Sequence, residues 1–250
     1  MLRVPFSRTA LPAPLPLLLL LILMLLAPAA EAKKKNTTRE TLQFAGEERT
    51  YVLYVPEDVA PDERLPLLIA LHGSGRDGES IVDPWIRLAK TERILVAGPE
   101  SLDSSMWSAP EDGPDFLLHL IDHLEETYPV DPQRVYLFGH SAGGHFAIQI
   151  GLFKSDRFAA VAAHAGANQP GNEWLYEHAR RKIPIYLVSG ANDTVVPIIS
   201  VRRTYQELKD AGFPVEFNEM PRHDHNYYVM AKRINEGIWE FLRQHRLPGE

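Results

Sequence analysis

Two kinds of apolar patterning share the chain. Residues 41–45 and 49–55 alternate between apolar and polar side chains, with Gly46 and Glu47 between them, and this period of two predicts an antiparallel hairpin. Residues 67–71 are continuously apolar and run into His72-Gly73-Ser74-Gly75, which predicts a strand buried on both faces. Residues 81–93 predict a helix, and 94–97 the next strand, closed by Gly98-Pro99. Phe116, Leu117, Leu120, Ile121 and Leu124 recur at helical spacing, with Asp122, Glu125 and Glu126 on the opposite face. A strand at 135–138, a helix at 142–153 and strands at 159–163 and 185–188 follow. A helix at 201–211, a strand at 215–219 and a closing helix striped by Ile234, Ile238, Phe241 and Leu242 complete the series. Strand and helix patterns alternating in this way predict an α/β domain with helices on both faces of a mostly parallel central sheet, the N-terminal hairpin being antiparallel. In such sheets the chemistry is expected at the carboxyl ends of the strands.

The first 32 residues follow neither pattern. Arg3 and Arg8 precede an unbroken apolar run at 17–26, and Ala30 and Ala32 then supply the small-x-small spacing of a signal-peptidase site. The run is about ten residues, short of the roughly 20 that a membrane-spanning helix needs, and Pro12, Pro14 and Pro16 interrupt its backward extension as an uncleaved anchor. Residues 1–32 are therefore expected to be a signal peptide, 33–40 a flexible lead-in and 41–250 the working domain. The expected location is secreted or periplasmic, with no stable membrane insertion after cleavage.

Composition narrows the function. A 250-residue chain that is 45% hydrophobic and 24% charged is globular rather than disordered or fibrous. A net charge of −7 offers no basic face for nucleic acid. Cysteine is absent, so there is no disulfide, thiolate metal site or cysteine nucleophile.

Gly139-His140-Ser141-Ala142-Gly143 is a G-x-S-x-G motif set between a predicted buried strand and a predicted helix, the setting of a nucleophile elbow. A serine hydroxyl needs a base and a third group to orient that base. In this architecture the acid and then the histidine follow the serine in the chain. Asp193, after the strand at 185–188 and before Pro197, fits the acid, although an aspartate there also suits a structural cap. The base is His225 or His223, in Pro221-Arg222-His223-Asp224-His225-Asn226, with His225 preferred. A divalent metal on this H-D-H triplet is disfavoured, because adjacent ligands rarely share one tetrahedral ion. Backbone N–H groups of Ser74 and Ala142 are the expected oxyanion donors, with Gly73 the alternative to Ser74. His119 and His123 read as solvated helix residues, and His140 and His145 as groups packed beside the elbow. His164, at a strand end, is a candidate for the cleft, as are the loop residues Trp107 and Trp174.

These motifs make the chain resemble the α/β-hydrolases, and within them the secreted esterases grouped with polyhydroxybutyrate depolymerases, feruloyl esterases and phospholipase/carboxylesterases. The resemblance is carried by the stretch from Asp115 through Tyr128-Pro129-Val130-Asp131 into the Ser141 elbow, by His72-Gly73-Ser74, and by Asp193 with Val196-Pro197. At the histidine the chain departs from depolymerases. Asp224-His225-Asn226-Tyr227-Tyr228 is similar to the D-H-x-Y-Y turn of the S-formylglutathione hydrolase group, which supports His225. The resemblance implies hydrolysis of a small-molecule or polymer-borne ester through an acyl-serine, without a cofactor. Residues 166–184 are too few for a large lid, so an open cleft is expected. Two other readings of the same residues are a serine peptidase of this fold and a non-catalytic binding protein.

Overall fold

The computed structural model describes residues 37–249. The expected signal peptide lies outside the described residues. The last four residues of the expected flexible lead-in are instead the start of a strand, β1 (Thr37–Phe44), which pairs antiparallel with β2 (Glu47–Tyr54). Next come β3 (Leu65–Leu71), helix α1 (Gly78–Val82), α2 (Ile86–Glu92), β4 (Leu95–Pro99), α3 (Asp115–Thr127) and β5 (Val130–His140). The second half runs α4 (Ala142–Phe153), β6 (Ala160–His164), α5 (Trp174–His178), β7 (Ile185–Gly190), α6 (Ile198–Asp210), β8 (Val215–Met220) and α7 (Tyr227–Leu242). The strands form one sheet in the order β1-β2-β4-β3-β5-β6-β7-β8, parallel throughout from β4 to β8.

Alternation along the strands sends side chains to two cores. Leu67, Ile69 and Leu71 of β3 join Phe116, Leu120, Ile148 and Val201 beneath α3, α4 and α6. Leu68 and Ala70 face the other way, onto Ile81, Trp85, Ile234 and Ile238 of the segment from α1 to α2 and of α7. Helices therefore cover both faces.

The structure refines two elements. The helix expected over 81–93 is broken by a 3-10 turn at Asp83–Trp85, because Pro84 supplies no N–H to a continuous helix. The short α5 sits in the connection between β6 and β7, which carries no large lid. No helix among the described residues is long and apolar enough to cross a membrane.

Both ends of the described chain lie at the amino ends of the parallel strands. Thr37 pairs with Tyr54, which in turn pairs with Val96 near the start of β4. After α7 the backbone N–H of Leu247 donates to the Gln133 carbonyl at 2.9 Å, and Tyr136 Oη donates to the His245 carbonyl at 2.9 Å.

Candidate active site

β5 and α4 meet at Ser141, whose backbone is left-handed at φ 55°, a conformation that non-glycine residues avoid. The turn closes this tightly because glycines flank it. A Cβ on Gly139 would collide with the Gly143 carbonyl, and one on Gly143 with the Leu71 carbonyl. The geometry lifts the Ser141 side chain off the sheet and starts α4 at Ala142, where the first N–H groups have no acceptor within the helix.

Asp193 follows β7, and its two carboxylate oxygens have separate partners. Oδ1 accepts the N–H groups of Val195 and Val196 at 2.9 and 2.8 Å. Oδ2 lies 2.8 Å from Nδ1 of His225, which comes from the loop between β8 and α7. Acid and cap were alternatives in the sequence; here one side chain holds its own loop and meets the histidine. The carboxylate only accepts, so His225 Nδ1 donates, leaving Nε2 to accept from the Ser141 hydroxyl at 2.9 Å. The side chain of Asp193 is fully buried, while that of His225 is 22% exposed.

His223 does not approach Ser141. Its Nε2 lies 3.0 Å from Nε2 of His164, whose Nδ1 lies 3.0 Å from Nδ1 of His140. The two histidines of the H-D-H triplet thus point to different partners. His164, a candidate for the cleft, is completely buried as the middle link of this chain, because β6 is an interior strand. Burial pushes the His140 imidazole down to about 3 and holds His164 and His223 below the usual histidine range, so all three are neutral near pH 7. A neutral imidazole has one N–H and one acceptor nitrogen, and each junction therefore carries one proton. The His140 ring also lies 5.0 Å from the His225 ring and stacks on Tyr227.

The turn after β3 is braced from behind. His72 is buried, and burial lowers its affinity for a proton. Its Nε2 accepts the Ser101 N–H at 3.3 Å, so Nδ1 donates to the Gly73 carbonyl at 2.9 Å. Gly75 N–H donates to Ser104 O at 2.7 Å, and Trp107 Nε1 donates to His72 O at 2.9 Å. Trp107 is therefore a buried strut of this turn rather than a wall of the cleft. Trp174 stands on α5 against Phe153, also away from the cleft. His119 is exposed, as expected, with Nε2 3.1 Å from Gln43 O. His123 is half-buried against Tyr51. His145 is packed beside the elbow, its Nδ1 2.6 Å from the Ala167 carbonyl oxygen and 2.9 Å from the Ala167 nitrogen.

Gly73, Ser74, Ser141 and His225 line one cleft of about 480 Å³, together with Arg76, His140, Thr194, Val195, Asp224, Asn226 and Tyr228. Arg76 and Tyr228 escaped the sequence reading as site residues. Arg76 follows the glycine turn by one position, but nothing in the local pattern shows that Tyr228 comes to lie beneath it. Among the described residues no group of three or more His, Asp or Glu side chains is placed to hold a metal ion.

The model of the Esterase family matches residues 43–241. The bifunctional acetylxylan esterase/xylanase XynS20E of Neocallimastix patriciarum is 30% identical over 169 residues, covering 66% of this chain and 24% of that protein. The S-formylglutathione hydrolase of Rattus norvegicus is 40% identical over 142 residues, covering 46% of this chain and 50% of that protein. The chain thus spans 24% to 50% of the length of these two relatives. Among solved structures, a thermostable esterase overlays with a TM-score of 0.71 at 24% identity, covering 84% of this chain and 63% of its own. The serine hydrolase FphF of Staphylococcus aureus overlays with a TM-score of 0.71 at 18% identity, covering 82% of this chain and 98% of its own. At such identities the likeness is one of fold, and the sheet described above is the α/β-hydrolase fold of these proteins.

Proposed function

We propose, for a chain that belongs to the Esterase family, hydrolysis of carboxylic esters through an acyl-serine intermediate. The observation that carries this reading is the run of contacts from Asp193 through His225 to Ser141, 2.8 and 2.9 Å long and correctly polarised. In this mechanism Ser141 Oγ attacks the ester carbonyl as His225 Nε2 takes its proton. Asp193 holds the ring in the tautomer that permits this and stabilises the imidazolium. The oxyanion forms against the N–H of Ala142 and that of Ser74, or of Gly73 in its place. His225 then gives its proton to the departing alcohol, activates a water, and returns Ser141 to the hydroxyl form. This mechanism calls for no cofactor.

The substrate class fits a cleft lined by Ser74, Arg76, Thr194 and Tyr228 that opens to solvent: a small soluble ester or an ester borne on a polymer. Relatives named as an acetylxylan esterase/xylanase and an S-formylglutathione hydrolase agree with this reading. The N-terminal pattern of Arg3, Arg8, the apolar run and Ala30-Glu31-Ala32 supports a secreted or periplasmic protein that begins at Lys33 after processing. N-terminal sequencing of exported protein checks this, and a start at Met1 would refute it.

The test of the reaction is turnover of p-nitrophenyl acetate and butyrate. Ser141→Ala and His225→Ala are each expected to lower kcat by roughly 10⁴ or more, the scale of losing a member of such a unit. A wild type no faster than Ser141→Ala would remove the esterase reading. Near wild-type rates in His225→Ala would remove the assignment of the base.

A further inference from the structure

We propose that the ester taken by this protein carries a carboxylate in addition to the reacting acyl group, and that Arg76, Arg222 and Arg233 recognise it. The inference rests on the Ser141-dependent hydrolysis proposed above and names the substrate class of that same site.

Beside the cleft around Ser141 lies another cavity that borders the same loop. This second cavity, of about 320 Å³ and lined by Arg222, His223, Met230 and Arg233 among others, shares Asp224 and Asn226 with the cleft. Three guanidinium groups line this double cavity, Arg76 in the first part and Arg222 and Arg233 in the second, against a single lining carboxylate, Asp224. That carboxylate is already engaged, with Oδ1 accepting the Asn226 N–H at 2.8 Å.

Elsewhere on the surface arginines find acids readily. Arg157 reaches Asp122 at 2.7 Å, Arg180 reaches Asp156 at 2.6 Å, and Arg202 reaches Glu219 at 2.6 Å. Among the described residues Arg76, Arg222 and Arg233 make no ion pair; Arg76 lines the cleft of Ser141, and Arg222 and Arg233 line the cavity next to it. Arg64, Arg87 and Arg181 also make no ion pair among the described residues, so what sets Arg76, Arg222 and Arg233 apart is their place on two adjoining cavities. In a protein of net charge −7 the long-range field repels anions, and local cations at the cleft reverse that where it matters.

Arg76 is also held ready. Its Cζ lies 4.8 Å from the centroid of the Tyr228 ring, and Tyr228 is itself packed edge-on against Tyr227 and His140. Stacking covers a face of the guanidinium and leaves its N–H edge for a planar, bidentate acceptor, which a carboxylate is. Arg222 occupies a left-handed backbone conformation, φ 62°, in the turn that delivers the base.

The experiment measures kcat/KM for substrates matched in all but charge. One arm places the carboxylate on the acyl side: an aryl monoester of a dicarboxylic acid against the aryl ester of the straight-chain acid of equal length. The other places it on the alcohol side: acetoxybenzoate against its methyl ester. We expect the anionic member of at least one pair to be favoured by roughly tenfold, the effect of one partly exposed charge-assisted contact. That ratio should fall towards unity when Arg76, Arg222 and Arg233 are replaced together by Gln, and also at about 0.5 M salt. All three side chains are exposed, so the variants keep the fold, and Arg76→Lys should retain part of the ratio. A ratio near unity in both arms, or one that survives the triple replacement, overturns the proposal. Parallel assays of the neutral esters with Ser141→Ala separate the two failures. Ser141-dependent turnover without a charge preference sinks this inference alone, whereas no Ser141-dependent turnover of any ester sinks the reaction itself.

Discussion

The buried imidazole chain places unusual demands on single atoms. His164 is completely enclosed, so each of its nitrogens depends on a neighbouring histidine for its one hydrogen bond. Through this link β6 holds His223, and the His223 carbonyl accepts the Asn192 N–H of the acid loop at 3.0 Å. One residue therefore ties the loops of Asp193 and His225 together, two positions before His225 itself. Replacing His164 by Leu strands two buried ring nitrogens, each costing about 1–3 kcal/mol. The expected outcome is a lower urea midpoint, together with a fall in kcat larger than any change in KM. Unchanged stability and kcat would show that the chain carries no load. That Ser141, Asp193 and His225 come into contact was legible in the sequence, because each follows a strand and the fold brings those strand ends to one rim. The role of His223 was not, because nothing local reveals that an interior strand places His164 within its reach.

At the scale of elements, the turn proposed to hold the oxyanion is maintained by residues far from it in the chain. Arg49 of β2 and Asp112 form a buried ion pair at 2.7 Å, with the Arg49 guanidinium 3.7 Å from the Phe116 ring centroid. Asp112 also accepts the N–H groups of Leu102 and Ser108, both at 3.0 Å. It thereby shapes the segment whose Ser101, Ser104 and Trp107 brace the turn from His72 to Gly75. Asp112→Ala leaves an uncompensated buried cation, an expense of about 3–5 kcal/mol, and should show as a large drop in thermal midpoint. The elbow makes a second, sharper demand. Gly143→Ala sets a Cβ against the Leu71 carbonyl, where backbone cannot yield, so a loss of about 3 kcal/mol or more, or no folded protein, is expected. Gly75→Ala meets nothing within 4 Å and carries only the strain of φ 69°, about 1 kcal/mol. Equal melting temperatures for the two variants would contradict this. Alternation in the hairpin made β2 legible, but it marked Arg49 only as a polar strand position. Its partner lies 63 residues away, a pairing that no local period encodes. The same limit explains the helix expected over 81–93, where the apolar period continued past Pro84 although the backbone could not.

The whole molecule inherits a pH dependence from its enclosed histidines. In the unfolded chain they bind protons near 6.5, whereas in the folded state His140 does so only at about 3, and burial holds His164, His145 and His223 low as well. Below pH 6.5 the unfolded state therefore takes up protons that the folded state refuses, and stability falls as pH falls. Each such histidine contributes up to about 1.4 kcal/mol per pH unit until its folded value is reached. Urea midpoints measured at about pH 7 and about pH 5, where most carboxylates remain ionised, should decline clearly, and a flat profile would be inconsistent with neutral buried rings. At this scale the sequence was most informative. The alternation of strand and helix patterns implied a covered parallel sheet with its chemistry at the strand ends, because burial on two faces and on one leave different periods in the chain.

The route of the chain through that sheet has a practical meaning for anyone attaching the protein to something. Thr37 enters beside the amino end of β4, and the segment around Leu247 leaves beside the amino end of β5, while Ser141 stands at the opposite rim. A tether, a fused module or a solid support joined directly at Thr37 or just after Leu247 would hold the domain by its underside. The cleft would then face away from the attachment, towards whatever insoluble material is brought to it.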